Sequence, residues 1–287
     1  MERDAEGLID EVVKIAESAG REILSIYAAD FDVETKVDDS PLTAADRVAH
    51  TLINRSLEAL TPDIPVLSEE GGIPTWEDRQ DWSHYWLVDP LDGTREFVKR
   101  NGEFTVNIAL IHRGRPVIGI IHAPVLSRTY VAVHYQDADD VPADNVPVHY
   151  RRAERRDTDG VTPLATRAVD DEALMLVVSR SHRSPAVDSL LTRLPPHDTT
   201  SVGSSLKFCL VAEGSADCYP RFGPTSEWDS AAAQCIVEAA GGAVIRPDGR
   251  PLRYNTKASI LNPNFVALGD PDWRWTEYLD GLAVEER

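Results

Sequence analysis

The stretch Tyr85-Trp86-Leu87-Val88-Asp89-Pro90-Leu91-Asp92-Gly93-Thr94 carries the densest chemical signal in the sequence. Its apolar start, 85–88, is typical of a buried strand, and side chains at the end of such a strand lie at an open sheet edge, where ligands tend to bind. Asp89 and Asp92, separated by a proline turn, can face one point, where they would repel each other without a cation. Gly93 permits close backbone approach, and the N–H groups after it can face an anion. The stretch therefore predicts a magnesium-dependent phosphate site.

Taken alone, the same stretch also fits an ordinary turn, because Asp-Pro and Asp-Gly pairs are common turn formers. It does not fit an EF-hand calcium loop, because its acids do not fall at positions one, three and five ahead of the glycine. A functional interpretation therefore depends on matching residues elsewhere in the chain.

Bulk composition restricts the class of protein. The chain has 287 residues, 42% of them hydrophobic, which suits one large soluble domain or two closely packed ones. No stretch approaches the roughly 18 apolar residues of a membrane span, and the acidic start 1–6 lacks the features of a signal peptide. Cys209, Cys218 and Cys235 are odd in number and lack C-x-x-C spacing, so neither a disulfide framework nor a zinc site is expected. We expect a cytoplasmic enzyme, either free or peripheral at the inner membrane.

The net charge of −19 argues against nucleic acid as a partner, because binding to phosphate backbones needs basic patches. The same charge is a problem for any protein that binds a small phosphorylated substrate. Bound magnesium, together with a few local basic side chains, would have to reverse the field within the cleft.

Hydrophobic periodicity predicts an α/β chain. Helical spacing extends over residues 4–28 and from about Thr43 to Leu60, with Thr43 as N-cap and Asp46 in the first turn. Further helices are expected at 204–213 and 229–240. Strands are expected at 64–67, 85–88, 105–112, 116–122, 129–134, 174–179, 216–220, 243–245 and 264–268.

The segment 136–172 is rich in Asp, Pro and Arg and poor in large apolar residues. We interpret it as an acidic, solvated connection with at most a hairpin. It would separate an N-terminal α+β subdomain, residues 1–135, which carries most acidic motifs, from a C-terminal α/β subdomain, residues 173–287.

Three separated groups of residues together resemble a known family. They are Ser68-Glu69-Glu70, the motif Asp89–Thr94, and Trp228-Asp229 followed by Glu238-Ala239-Ala240-Gly241-Gly242. In order and spacing, over nearly the whole chain, they are similar to the inositol monophosphatase superfamily of magnesium-dependent, lithium-sensitive phosphatases. Each acid alone has a structural explanation, as a residue of a helix N-terminus or of a solvated loop. The combination is what points to the family.

Within that superfamily, the segments 95–111, 179–182 and 202–214 are similar to the CysQ-type 3′(2′),5′-bisphosphate nucleotidases. The resemblance implies a layered α-β-α-β-α fold with the site between its two halves. It also implies hydrolysis of adenosine 3′,5′-bisphosphate to AMP and phosphate, a reaction of sulfur metabolism, by a monomer or homodimer. The segment 136–172 departs from the subfamily pattern, which leaves its contribution to the site open.

The resemblance also implies the metal ligands and the catalytic residues. The ligands of two or three Mg²⁺ ions would be Glu69, Asp89, Asp92, Asp229 and the backbone carbonyl of Leu91. Magnesium prefers hard oxygen ligands, so the donor set fits independently. Thr94, Glu69 and Asp46 would orient the attacking water.

The substrate would occupy the same motifs. Lys207 and Arg221 are the candidates to supply positive charge for a second phosphate, and Ser204, one helical turn before Lys207, could donate to the same anion. His182 could stack on or hydrogen-bond the adenine. The full expected set of substrate-binding residues is Leu91, Asp92, Gly93, Thr94, His182, Ser204, Lys207, Arg221 and Asp229.

Two alternatives stay open. An inositol monophosphatase of the same fold is disfavoured because Glu227 precedes Trp228-Asp229 and because 95–103 is of the nucleotidase type; a fructose bisphosphatase is less favoured still. A non-catalytic nucleotide- or metal-binding homologue is disfavoured because every inferred ligand and Thr94 are present.

Overall fold

The computed structural model describes residues 5–29, 32–35, 41–135, 150–179 and 184–282. The helices are α1 (Ala5–Tyr27), α2 (Ala44–Leu60), α3 (Trp76–Arg79), α4 (Thr94–Val98), α5 (Pro185–Arg193), α6 (Leu206–Ala212), α7 (Ala231–Ala239) and α8 (Trp275–Leu279). The strands are β1 (Val33–Thr35), β2 (Pro41–Thr43), β3 (Val66–Ser68), β4 (His84–Asp92), β5 (Thr105–His112), β6 (Arg115–Ala123), β7 (Arg128–His134), β8 (Arg151–Asp157), β9 (Gly160–Pro163), β10 (Leu174–Val177), β11 (His197–Thr200), β12 (Cys218–Arg221), β13 (Ala243–Ile245) and β14 (Phe265–Leu268). Among these helices, none combines the length and the apolar character needed to cross a membrane.

The larger sheet has the order β3-β4-β5-β6-β7-β8-β9 and is antiparallel except for the β3–β4 pair. Its two faces are both covered. Trp86 and Val88 of β4 pack with α1 and α2, while Tyr85 and Leu87 pack with α6 and α7. Because successive side chains of a strand point to opposite faces, burial on both sides explains why β4, β5 and β6 are almost continuously apolar.

The smaller sheet has the order β11-β10-β12-β14-β13. Phe265 and Ala267 face α6 and α7, whereas Val266 and Leu268 pack with α5 and α8 on the outer face. The layers are therefore α1 and α2, the larger sheet, α6 and α7, the smaller sheet, then α5 and α8. The expected α-β-α-β-α architecture is confirmed.

One prediction at the central motif was wrong. Strand β4 does not end at Val88 in a proline turn; it continues to Asp92, and its pairing with β5 shifts between Asp89 and Asp92. Pro90 has no N–H to contribute to the ladder, and the side chain of Asp89 accepts the N–H of Leu91 at 3.0 Å. The extra residue is taken up as a bulge within the strand.

Other sequence expectations have mixed outcomes. Helix α2 begins as predicted, with Thr43 as N-cap and a capping box closed by Asp46.

The segment 136–172 is described only in part. Residues 136–149 lie outside the described part of the chain, and β8 and β9 form a hairpin that extends the larger sheet from β7. The division of the chain into two subdomains stays a prediction.

Helix α7 packs closely on the larger sheet because the sheet carries small residues there. Gly119 of β6 pairs with Ala109 and Ala132 on its neighbouring strands. A Cβ at Gly119 would overlap the carbonyl oxygen of Ala232 and lie 2.8 Å from Cβ of Cys235. The glycine therefore fixes the separation between helix and sheet.

We expect Gly119→Ala to lower the free energy of unfolding by about 1–3 kcal/mol, because α7 would have to move away from β6. Urea denaturation monitored by circular dichroism measures the change. Gly223→Ala is the matched control, since a Cβ at Gly223 meets no atom within 4 Å. Equal stabilities of the two variants would contradict this account of the packing.

Candidate metal and phosphate site

Three aspartates meet at the end of β4. Asp89, Asp92 and Asp229 each offer one carboxylate oxygen, and these atoms lie within 4.8 Å of one another. Asp89 and Asp92 come from the bulged end of β4, whereas Asp229 ends a 3₁₀ turn, Glu227–Asp229, directly before α7. The Ser226 N–H donates to Asp229 at 2.9 Å and fixes its orientation.

Glu69 is brought beside these aspartates by strand pairing. Strand β3 runs parallel to β4 with Ser68 opposite Val88, so the residues that follow, Glu69 and Asp89, are neighbours. Their side chains share a hydrogen bond. The four acidic side chains that the sequence analysis assigned to metal binding are therefore close together.

The carboxylates resist ionisation in this arrangement. Burial, followed by the charges of Glu69, Asp92 and Asp229, raises the pKa of Asp89 well above its usual range. Burial and the charges of Asp92 and Glu69 raise the pKa of Asp229 to about 8. Burial also raises the pKa of Asp92. A divalent cation among these oxygens would relieve the repulsion.

The donor set fits a hard cation. Carboxylate oxygens and backbone carbonyls are the ligands that Mg²⁺ prefers. The thiols of Cys209, Cys218 and Cys235 lie buried in the hydrophobic clusters, and none of them belongs to the group of described side chains that could hold a cation. The site therefore suits magnesium better than a soft metal.

Thr94 is held by a side chain from α2. Its hydroxyl lies 3.1 Å from Oδ1 of Asp46 and 3.3 Å from the carbonyl oxygen of Leu91. The other carboxylate oxygen of Asp46 accepts the N–H and the hydroxyl of Thr43, both at 2.7 Å. Asp46 thus caps α2 and orients Thr94 at the same time.

The backbone between the acids and α4 passes through Gly93. Its φ of 92° lies in the left-handed region that favours glycine. A Cβ at this position would approach the carbonyl oxygen of Glu103 at 3.1 Å and Cβ of Ser204 at 3.2 Å. The absence of a side chain at Gly93 therefore allows the residues that follow β4 to lie close to the 202–205 loop at the cleft.

A basic wall faces the acids. Lys207 is buried, and its Nζ donates to the carbonyl oxygen of Ser204 at 2.7 Å and lies 5.6 Å from the ring centre of Tyr219. Burial lowers the pKa of Lys207 to about 8, against the opposing charge of Asp92. Arg221, also buried, donates to the carbonyl oxygen of Pro224 at 2.5 Å.

The cleft between these walls has a volume of about 330 Å³. The sequence-predicted residues that line it are Glu69, Asp92, Gly93, Thr94, Ser204, Lys207, Arg221 and Asp229. Asp46, Asp89 and Leu91 lie beneath this surface and are nearly inaccessible. His182 lies outside the described residues.

Sequence reasoning missed the residues that hold Asp92. The Ser205 N–H donates to Oδ2 of Asp92 at 2.6 Å, and the Asn107 amide lies 3.4 Å from the same oxygen. Glu103 accepts the Gly203 N–H at 2.8 Å and so fastens the loop that carries Ser205. Asn107, a polar residue between Val106 and Ile108 of β5, was the available signal.

Comparison with known proteins gives a consistent result. The model of the inositol monophosphatase family matches residues 4–283. The 3′(2′),5′-bisphosphate nucleotidase CysQ of Escherichia coli O157:H7 is 48% identical over 260 residues, which cover 90% of this chain and 98% of the relative.

Solved structures agree. The crystal structure of CysQ from Bacteroides thetaiotaomicron, a bacterial member of the inositol monophosphatase family, has a TM-score of 0.75 at 38% identity, covering 91% of this chain and 96% of that one. Inositol monophosphatase from Anabaena (Nostoc) sp. PCC 7120 has a TM-score of 0.71 at 23% identity and 97% coverage of both chains, which shows a shared fold.

The raised pKa of Asp229 predicts a pH-dependent stability of the metal-free protein. The pKa is about 8 in the folded chain against an ordinary value of 3.8, so between about pH 4 and pH 8 the folded state binds more protons than the unfolded state. The free energy of unfolding should therefore fall as pH rises through this window. Magnesium should remove most of the trend, because a cation replaces the protons.

Calorimetric melting at several pH values, with EDTA or with magnesium, measures this effect. Asp229→Asn is the matched variant, because the amide keeps the size of the side chain without its titration. We expect a shallower pH slope in EDTA for this variant. A slope equal to that of the unmodified protein would contradict the role given to Asp229.

Proposed function

Because this chain belongs to the inositol monophosphatase family, we propose that it is a magnesium-dependent 3′(2′),5′-bisphosphate nucleotidase. Its substrate would be adenosine 3′,5′-bisphosphate, hydrolysed to AMP and phosphate. The observation that carries the proposal is one cleft with an acidic wall, Asp92 and Asp229, facing a basic wall, Lys207 and Arg221. An acidic wall suits cations that bind the reacting phosphate, and a basic wall suits a second phosphate.

The relatives support this choice over an inositol phosphate. The curated relative from E. coli O157:H7, at 48% identity over nearly its full length, is named a 3′(2′),5′-bisphosphate nucleotidase. The solved inositol monophosphatase from Anabaena is only 23% identical. The chain is thus more similar in sequence to this named nucleotidase than to this inositol monophosphatase.

We assign metal binding to Glu69, Asp89, Asp92, Asp229 and the carbonyl of Leu91, with two or three Mg²⁺ ions. When bound, magnesium would neutralise phosphoryl oxygens and make a coordinated water more acidic. The protein's part is to hold these oxygens together against their repulsion, which the bulge of β4 and the N–H groups of Ser205 and Ser226 achieve.

Thr94 and Asp46 would orient the attacking water. Asp46 is anchored by two hydrogen bonds from Thr43, so Oδ1 is in place to accept a hydrogen bond from the Thr94 hydroxyl. The lone pairs of Oγ1 of Thr94, a residue that lines the cleft, are then available to accept a hydrogen bond from water. Glu69 provides a second acceptor.

The remaining side chains would select the substrate. Backbone N–H groups of Gly93 and Thr94 would hold the reacting phosphate, while Lys207, Arg221 and the hydroxyl of Ser204 would hold the other one. Both cations are already positioned by backbone carbonyls. We assign the adenine to His182. We also expect lithium inhibition, a monomer or homodimer, and a location in the cytoplasm.

The decisive experiment measures phosphate release from adenosine 3′,5′-bisphosphate and inositol 1-phosphate, with and without magnesium. We expect strong preference for the nucleotide and no release without magnesium. Asp89→Asn should abolish the activity while the protein stays folded, because it removes one charge from the cation site. A preference for inositol 1-phosphate would make the protein an inositol monophosphatase, and inactivity of the unmodified protein would favour a binding role.

Substitution of Lys207 tests the second-phosphate assignment. We expect Lys207→Met to lower kcat/KM for adenosine 3′,5′-bisphosphate roughly 10–100-fold, the usual effect of losing a charge-assisted hydrogen bond. Adenosine 3′-monophosphate, which lacks the second phosphate, should be affected much less. Lys14→Met, at an exposed position on α1, is the charge-matched control. Equal losses of kcat/KM for both substrates would indicate that Lys207 acts through the acidic cluster and not through the second phosphate.

A further inference from the structure

Each aspartate of the acidic cluster gives one of its two carboxylate oxygens to a backbone N–H. The pairs are the Leu91 N–H with Oδ1 of Asp89 at 3.0 Å, the Ser205 N–H with Oδ2 of Asp92 at 2.6 Å, and the Ser226 N–H with Oδ2 of Asp229 at 2.9 Å. An oxygen that already accepts a hydrogen bond has fewer lone pairs to offer a cation. The scaffold therefore makes the two oxygens of each of these carboxylates unequal as ligands.

Asp92 differs from the other two aspartates because a second donor reaches the same oxygen. The amide nitrogen of Asn107 lies 3.4 Å from Oδ2 of Asp92 and donates to it, in addition to the Ser205 N–H. A carboxylate has about two lone-pair sites on each oxygen. Both sites on Oδ2 are thus engaged, and Oδ1 is the oxygen that Asp92 can offer to a cation.

The orientation of the Asn107 amide is fixed by two hydroxyl groups. Its Oδ1 lies 3.0 Å from the hydroxyl of Thr105 and 2.9 Å from that of Ser205, and these two hydroxyls are 2.8 Å apart. The simplest arrangement of their protons has one hydroxyl donate to the other, which donates to Oδ1. Whichever hydroxyl comes first, the amide oxygen faces the hydroxyls and the amide N–H faces Asp92. All three side chains are at most 1% exposed, so water has little access to replace the amide as a donor.

Strand pairing explains why Asn107 lies at this position. Asn107 and Thr105 of β5 are paired with Asp89 and Asp92 of β4, so two steps along β5 match three steps along β4. Side chains three residues apart in a regular strand point to opposite faces. The bulge in β4 takes up the extra residue and brings both aspartates to the face that carries Asn107.

We propose that Asn107 is a specificity-determining residue, which shifts the preference of the acidic cluster towards Mg²⁺ and away from Ca²⁺. This role rests on the proposed function, which places Mg²⁺ at these carboxylates. Mg²⁺ is small and requires near-octahedral geometry, whereas the larger Ca²⁺ takes more oxygen ligands and often binds both oxygens of one carboxylate. By engaging Oδ2, Asn107 leaves Asp92 a single oxygen to offer, which suits the smaller ion.

Asn107 acts through Asp92 and not as a metal ligand. Its amide oxygen accepts from the hydroxyls of Thr105 and Ser205, and its amide nitrogen is a donor without a lone pair for a cation. Asn107 is therefore a positioning residue. Its removal should change the choice of cation more than the ability to bind one.

The test is calorimetric titration of the full-length protein, first stripped of metal with EDTA and dialysed, with Mg²⁺ alone and with Ca²⁺ alone. Asn107→Leu removes the donor at nearly constant side-chain size. We expect it to lower the ratio of Mg²⁺ affinity to Ca²⁺ affinity at least about 10-fold, the usual size of effect for a hydrogen-bond partner of a metal ligand. A general structural defect would lower both affinities together and leave their ratio unchanged.

Circular dichroism shows whether Asn107→Leu is folded. If it is not, Asn107→Ala removes the same donor with less bulk and should lower the ratio in the same direction. Thr129→Val is the matched control, because it removes another buried hydrogen bond of the larger sheet, between Thr129 Oγ1 and His122 Nδ1 at 2.9 Å. His122 pairs with both Thr129 and Val106, and Val106 packs on the opposite face, with α1 and α2. We expect this control to keep the ratio of the unmodified protein.

The outcomes separate this role from the proposed function. An unchanged ratio in the folded Asn107 variant, with both cations still bound, would overturn the role of Asn107 and leave the metal site in place. Failure of the unmodified protein to bind either cation would overturn the metal site of the proposed function, and the role of Asn107 with it. A ratio that falls equally in Thr129→Val would also overturn the role, because the effect would not be specific to Asp92.

Discussion

Repulsion among carboxylates is the constraint on which the rest of the site depends. Asp89, Asp92 and Asp229 bring their oxygens within 4.8 Å of one another, and Glu69 joins them through Asp89. Such a cluster persists only when the scaffold is rigid and when protons or cations neutralise it. The scaffold supplies this rigidity from three sources: the parallel β3–β4 register, the bulge in β4, and α7 packed between the two sheets.

The distribution of charge explains how an acidic protein can hold an anion. The overall charge of −19 is irrelevant inside a cleft where Lys207 and Arg221 are buried and fixed by backbone carbonyls. Burial lowers the pKa of Lys207, yet Asp92 opposes that effect and favours the charged amine. The two walls of the cleft therefore depend on each other for their ionisation.

Much of the site could be predicted from the sequence, because its acids lie in short motifs at strand ends and helix starts. Asp46, Asp89, Asp92 and Asp229 stood out on that basis, and their roles were implied by the resemblance to the family. The bulged continuation of β4 was missed because Asp-Pro resembles a turn locally, whereas the pairing with β5 that extends the strand comes from distant residues. Asn107 and Ser205 are 98 residues apart, and only the assembled fold brings them to the same carboxylate. Helices α5 and α8 were not predicted because they are short and owe their stability to packing in the outer layer. Strand β11 was missed because its residues are mostly exposed and it is held by pairing with β10.

The carboxylate of Asp46 accepts hydrogen bonds from two different elements, the N-cap of α2 and the residue Thr94. One of its oxygens closes the start of α2, and the other accepts the hydroxyl of Thr94. Under the proposed role of Thr94, loss of this carboxylate would weaken the start of α2 and disturb the orientation of Thr94 at once, so a variant screen that records only turnover would confuse partial unfolding with a catalytic defect. The range of substitutions that Asp46 tolerates is therefore also limited by the thermal stability of α2, the helix that it caps.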